Sequence, residues 1–171
     1  MKTLILGGAR SGKSALAERL AEESGLAVTY VATATAGDAE MAERIAHHRS
    51  RRPAAWTLAE ELVALAHCLR RHAAPDRCLL VDCLTLWLAN SLGDEETFQR
   101  ERAALLESLP GLPGRIILVS NEVGMGIVPL GELSRRFVDE AGRLHQDLAR
   151  LCDQVVFVAA GLPLMMKGNF P

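Results

Sequence analysis

The chain has 171 residues, 49% of them hydrophobic and 23% charged, with a net charge of −2. That balance is globular and carries no global basic field, which argues against a nucleic-acid partner. Nothing approaches the ~20 consecutive apolar residues a membrane span needs. A chain of this length suits one domain over residues 1–171, and burying roughly 70% of its unfolded surface it needs no disulfide or metal staple. The cysteines Cys68, Cys78, Cys83 and Cys152 form no C-x-x-C pair and mostly sit in apolar runs, as buried thiols of a reducing compartment do. The opening apolar run is too short for a signal peptide, so a cytoplasmic protein is expected.

In chain order, short apolar runs alternate with stretches of helical periodicity. "TLILG" (Thr3–Gly7) predicts a first strand, followed by a helix over Lys13–Ser24. "AVTYVAT" (Ala27–Thr33) predicts a second strand, followed by helices over Ala39–Ser50 and Leu58–His72. "CLLVD" (Cys78–Asp82) predicts a third strand, leading through "CLTLWLANSL" to a helix over Glu95–Leu109. "RIILVSN" (Arg115–Asn121), a helix over Ser134–Leu151 and "QVVFVAAG" (Gln154–Gly161) complete the set. Each strand run is nearly all apolar rather than alternating, as in a parallel sheet covered on both faces. Alternation of strand and helix predicts an α/β fold with right-handed crossovers. Ligands in such sheets bind beyond the carboxyl ends of the strands, so the residues just after each run carry the chemistry.

After the first strand stand Gly7, Gly8, Ala9, Arg10, Ser11, Gly12, Lys13 and Ser14. This is G-x-x-x-x-G-K-[ST] between a strand and a helix, the context a phosphate-binding P-loop requires. Its backbone N–H groups and the helix N-terminus face an anion. Lys13 reaches the β and γ phosphates, and Ser14 ligates Mg2+. Asp82, at the end of an apolar strand, is the second metal-site candidate; its alternative is to cap the helix that follows. Glu122, just after "RIILVSN", is either a further acid in the same crevice or a loop cap.

Three functional classes fit a P-loop here: a small-molecule kinase or nucleotidyltransferase, a GTPase switch, and a non-enzymatic nucleotide-binding module. The absence of an Asn-Lys pair disfavours the guanine-reading switch. The segment "ERIAHHRSRRPAAW" (Glu43–Trp56) bears on the rest. Asp38 would cap a helix on which Met41, Ile45 and His48 form one stripe, with His47 about 100° away. His48 therefore faces the protein, either as a core histidine or as a nucleophile. A neutral imidazole could attack a nucleoside triphosphate at the α-phosphorus, while Arg49, Arg51 and Arg52 neutralise phosphates or simply suit a helix end.

Together "GGARSGKS", "YVATA", "MAERIAHHRSRRPAAW", "LAEE", "LLVDCLTLWLAN" and "VSNEVGMGIVP" resemble the bifunctional adenosylcobinamide kinase / adenosylcobinamide-phosphate guanylyltransferase family of cobalamin biosynthesis. The resemblance runs through nearly the whole chain in order. It implies that ATP or GTP phosphorylates the aminopropanol hydroxyl of adenosylcobinamide. GTP then guanylylates a histidine, and GMP passes to adenosylcobinamide-phosphate. The motif H-R-x-x-R-P places that histidine at His48. The resemblance also implies GTP contacts at Gly7 to Ser14, at Thr33 with Ala34 and Thr35, at Arg49, Ser50, Arg51 and Arg52, and at Glu60 and Asp82. A RecA-type sheet with an extra antiparallel strand, and a homotrimer, are implied in the same way.

Overall fold

In a computed structural model, residues 1–34 and 53–169 are described. The elements are β1 (Lys2–Gly7), α1 (Lys13–Glu22), β2 (Ala27–Ala32), β3 (Thr57–Glu60), α2 (Leu65–His72), β4 (Arg77–Asp82), α3 (Leu84–Ser91), α4 (Glu95–Ser108), β5 (Arg115–Asn121), α5 (Glu132–Leu151), β6 (Gln154–Ala159) and β7 (Leu162–Lys167). They build a seven-stranded sheet in the order β3-β2-β4-β5-β1-β6-β7. Every neighbouring pair is parallel except β6 with β7.

The uninterrupted apolar runs follow from burial on both faces. Successive side chains on a strand point to opposite sides. Ile5, Leu80, Ile117 and Val119 therefore pack with Leu16 and Leu20 of α1. Leu4, Leu79, Val81, Ile116 and Leu118 pack on the other face with Leu69 of α2, Leu105 of α4, and Leu144 and Leu148 of α5. Helix α5 buries Ala141, Leu144, His145 and Leu148, one stripe at spacings of three and four. Cutting back a fully buried leucine such as Leu80 costs about 2–5 kcal/mol in a core of this kind. The Asp94 carboxylate caps α4, accepting from Thr97 N–H at 3.2 Å.

The expected helix over Leu58–His72 is corrected. Thr57–Glu60 instead pairs in parallel with the edge of β2, from Thr29↔Thr57 to Ala32↔Glu60. Leu58, Leu62, Leu65 and Leu69 satisfy a helical period, but the open edge of β2 takes the first of them into a strand. The Glu61 carboxylate then accepts from Val63 N–H at 2.9 Å and Ala64 N–H at 2.8 Å, turning the chain into α2. The expected strand Gln154–Gly161 is also shorter. Ala160 (φ 51°) and Gly161 (φ 77°) lie in the left-handed region and close a two-residue hairpin into β7. That hairpin is the antiparallel strand the resemblance implied. The expected helix Ala39–Ser50 lies outside the described residues.

Candidate functional site: a phosphate loop facing two strand-end acids

The carboxyl ends of β1, β5 and β4 lie side by side in the sheet. The loop after β1 is held from both flanks. Glu122 N–H donates to Gly7 C=O at 3.0 Å, and Gly161 N–H donates to Ser11 C=O at 2.8 Å. Two glycines make this possible. A Cβ on Gly7 would lie 2.5 Å from the Val158 carbonyl oxygen, and Gly12, with φ 97°, would bring a Cβ to 3.1 Å from Gly161 Cα. Gly12 is the N-cap of α1, and Leu16 N–H donates to its carbonyl at 3.0 Å. The helix N-terminus is therefore turned into the loop.

Lys13 is buried, and its ammonium donates to Gly8 C=O at 3.1 Å. Burial pushes its pKa below the ordinary lysine value, with the Asp82 carboxylate opposing that shift. The Ser11 hydroxyl, on a residue only 8% exposed, is buried without a hydrogen-bond partner among the described residues. Ser14 is half-buried on the first turn of α1, while Ala9 and Arg10 are exposed.

Asp82 ends β4 and its carboxylate accepts from Tyr30 Oη at 3.3 Å. The capping alternative finds no support at the helix itself: the N-cap of α3 is Cys83, whose side chain makes no capping bond. Thr33 is fully buried, and its hydroxyl donates to Cys83 C=O at 2.7 Å and accepts from Cys83 N–H at 2.9 Å. Asn90 on α3 donates to Thr33 C=O at 2.8 Å and to Leu62 C=O at 3.1 Å. Thr33 thus ties the end of β2 to the end of β4, and its side chain has no remaining donor for a nucleotide. Ala34 follows it at the rim. Glu60 is exposed at the end of β3, next in the sheet to β2. Thr35, His48, Arg49, Ser50, Arg51 and Arg52 lie outside the described residues.

Beyond β5 lies a polar chain that the sequence reading missed. Thr85 Oγ1 accepts from Asn121 N–H at 2.7 Å and lies 3.2 Å from Ser120 Oγ. Ser120 Oγ is 2.8 Å from His145 Nε2, and His145 Nδ1 is 3.5 Å from Glu122 Oε2. Glu122 Oε1 accepts from Gly124 N–H at 2.6 Å. Of the two readings of Glu122 the loop cap is seen, made by one oxygen, while the other oxygen faces a buried histidine. Burial lowers the His145 pKa below the ordinary imidazole value, and Glu122 opposes the shift. The only sequence signal for His145 was its place on the buried stripe of α5, which is also where any core residue sits.

A P-loop lysine, a strand-end aspartate and a sheet of this order define a P-loop nucleotide-binding protein with a RecA-like fold. The RadB recombinase structure superposes with a TM-score of 0.57 over 99% of this chain and 81% of that one, at 17% identity. Residues 3–166 match the family model described as cobinamide kinase / cobinamide phosphate guanyltransferase. The bifunctional adenosylcobalamin biosynthesis protein CobP of Pseudomonas aeruginosa is 66% identical over 171 residues, covering 99% of both chains. The protein CobU of Salmonella typhimurium, of the same description, is 40% identical over 182 residues, covering 98% of this chain and all of that one. The chain belongs to the cobinamide kinase / cobinamide phosphate guanyltransferase family. It is a bifunctional transferase, phosphorylating cobinamide and transferring a guanylyl group to the phosphate so formed.

Proposed function

We propose that one P-loop serves both reactions and that His48 carries GMP between them. The observation that carries this reading is the position of Lys13, buried in the phosphate loop beside Asp82. In the kinase step the loop holds the β and γ phosphates of ATP or GTP, and the γ-phosphoryl passes to the cobinamide hydroxyl. In the second step the same cradle holds the departing pyrophosphate of GTP. His48 attacks the α-phosphorus, an N–P bond forms and the bond to pyrophosphate breaks. A phosphate oxygen of cobinamide phosphate then displaces the imidazole and takes the GMP. Arg49, Arg51 and Arg52 offset the negative charge of the polyphosphate, and Ser50, Thr35, Ala34 and Glu60 line the nucleotide. Thr33 contributes by its clamp on Cys83 rather than through a free hydroxyl.

Mg2+ fits the oxygen-only donor set of Ser14 and Asp82, since it is a hard cation that binds carboxylate and hydroxyl oxygens together with phosphates. When bound it would neutralise charge on the phosphate oxygens. The unpaired Ser11 hydroxyl supports a loop completed by a bound phosphate, because an unsatisfied buried hydroxyl costs about 1–3 kcal/mol. Both activities would reside on one domain over residues 1–171 in the cytoplasm, with no nucleic-acid partner. Among the described residues no helix is long and apolar enough to cross a membrane. A homotrimer accords with the exposed Leu162, Leu164 and Met166 of β7 at the edge of the sheet.

The test is incubation with GTP labelled at the α-phosphate, followed by mass analysis of the intact protein. An acid-labile GMP adduct supports the reading. Guanylyl transfer to cobinamide phosphate that proceeds while no label is found on the protein would contradict it.

A further inference from the structure

Only one of the two reactions has an acceptor that must lose a proton. The kinase step attacks with an alcohol, whereas the guanylyl steps attack with a neutral imidazole and with a phosphate monoester already ionised at neutral pH, its second pKa being about 6. A proton acceptor is therefore needed for phosphorylation alone. Asp82 is committed by its place at the end of β4 to the charge of the loop lysine and to the metal site. The remaining described strand-end carboxylate beside the P-loop is Glu122.

We propose that Glu122 takes the proton of the cobinamide hydroxyl during phosphorylation, and that His145 is the positioning residue that aims it. This rests on the P-loop reading above. The Glu122 backbone is fixed to the first residue of the loop by the 3.0 Å bond to Gly7 C=O. Its side chain is 22% exposed. A carboxylate offers about four lone-pair sites. The 2.6 Å bond from Gly124 N–H uses one on Oε1, and His145 approaches Oε2, which leaves sites open to an incoming hydroxyl.

The polar chain behind β5 fixes the imidazole. The Asn121 N–H can only donate, and it donates to Thr85 Oγ1. Thr85 can then donate to Ser120 and Ser120 to His145 Nε2, and in that arrangement the ring proton sits on Nδ1, facing Glu122. This tautomer satisfies each contact in turn and presents a donor to the carboxylate. At an Nδ1–Oε2 separation of 3.5 Å the buried Nδ1 makes no hydrogen bond among the described residues, and contacts of this kind in enzymes commonly tighten only in the substrate complex. In the reaction the hydroxyl oxygen forms a bond to the γ-phosphorus, the bond to the β-phosphate oxygen breaks and the nucleoside diphosphate leaves. The hydroxyl proton moves to Glu122 and returns to solvent after product release.

The experiment compares Glu122→Gln, His145→Gln and the double variant with the unaltered enzyme. Cobinamide phosphorylation and formation of the GMP adduct are measured separately. General base catalysis contributes about 10²–10⁴-fold. Glu122→Gln is expected to lower kinase kcat about 100-fold or more, with KM little changed and adduct formation retained. His145→Gln should lower kinase kcat less, and it should add nothing to the loss already present in Glu122→Gln, as for two groups acting as one unit. A kinase kcat within about threefold of the unaltered enzyme in Glu122→Gln would overturn the proposal. So would equal losses in both reactions, which mark Glu122 as only a brace for its loop. Additive losses in the double variant would remove His145 from the role. Failure of the P-loop reading looks different: Lys13→Met would then keep either activity, whatever Glu122 does.

Discussion

The Thr33 hydroxyl bridges both backbone groups of Cys83, donating to its carbonyl at 2.7 Å and accepting from its N–H at 2.9 Å. This places a fully buried side chain between the ends of β2 and β4, one residue beyond Asp82. Thr33→Val keeps the shape, takes the partner of the Cys83 N–H, and leaves the Cys83 C=O with Trp87 N–H at 3.2 Å. The expected loss is about 2 kcal/mol, read as a fall of roughly 4–8 °C in Tm for a chain of this size. Thr33→Ser should stay within about 1 kcal/mol, because it keeps the hydroxyl. Equal Tm values for Thr33→Val and the unaltered protein would contradict the clamp.

Gly12 is needed on two counts, a φ of 97° and the approach of Gly161 Cα to within 3.1 Å of any Cβ. Gly12→Ala should cost about 1–3 kcal/mol in backbone strain and move the N-terminus of α1 against the β6–β7 turn. Both phosphorylation and guanylyl transfer should fall together. Thermal melting and the two activity assays check this, and a variant with ordinary activity in either assay would refute it.

Lys13→Met should abolish both activities while leaving the fold intact. The methionine keeps most of the apolar stem, and among the described residues the losses are the bond to Gly8 C=O and the attraction of the Asp82 carboxylate. A Tm within a few degrees of the parent, with both turnovers lost, is the expected result.

Much of the site was legible in the sequence because its chemistry is local. The P-loop spacing, its strand-to-helix setting and Asp82 at the end of an apolar run all lie within short stretches, and β1, α1, β4 and β5 appear close to where periodicity put them. What was not legible depends on partners distant in sequence. Leu58–Glu60 fits a helical period and becomes a strand only because β2 presents an open edge to it. Thr33 gives no hint in the sequence that Cys83 will absorb its hydroxyl. His145 lies 25 positions from Ser120 along the chain and looks like any other residue on the buried stripe of α5.

The His145 pKa is lowered by burial, so the folded protein binds a proton there less readily than the unfolded chain. The sign follows from linkage: this contribution to stability is complete above the unfolded value of 6.5 and is lost as pH falls below it. Tm should therefore decline between pH 7 and 5, and the decline should be shallower in His145→Gln. Parallel curves for the two proteins would show that the ring does not titrate with folding.

The central claim, one phosphate loop with a guanylylated His48, is tested most directly by locating the GMP. The enzyme is incubated with GTP, digested under mildly alkaline conditions and sequenced by tandem mass spectrometry, alongside His48→Ala and His47→Ala. The account predicts GMP on His48, no adduct in His48→Ala with cobinamide phosphorylation retained, and an adduct still present in His47→Ala. An adduct that persists in His48→Ala and disappears in His47→Ala would contradict it.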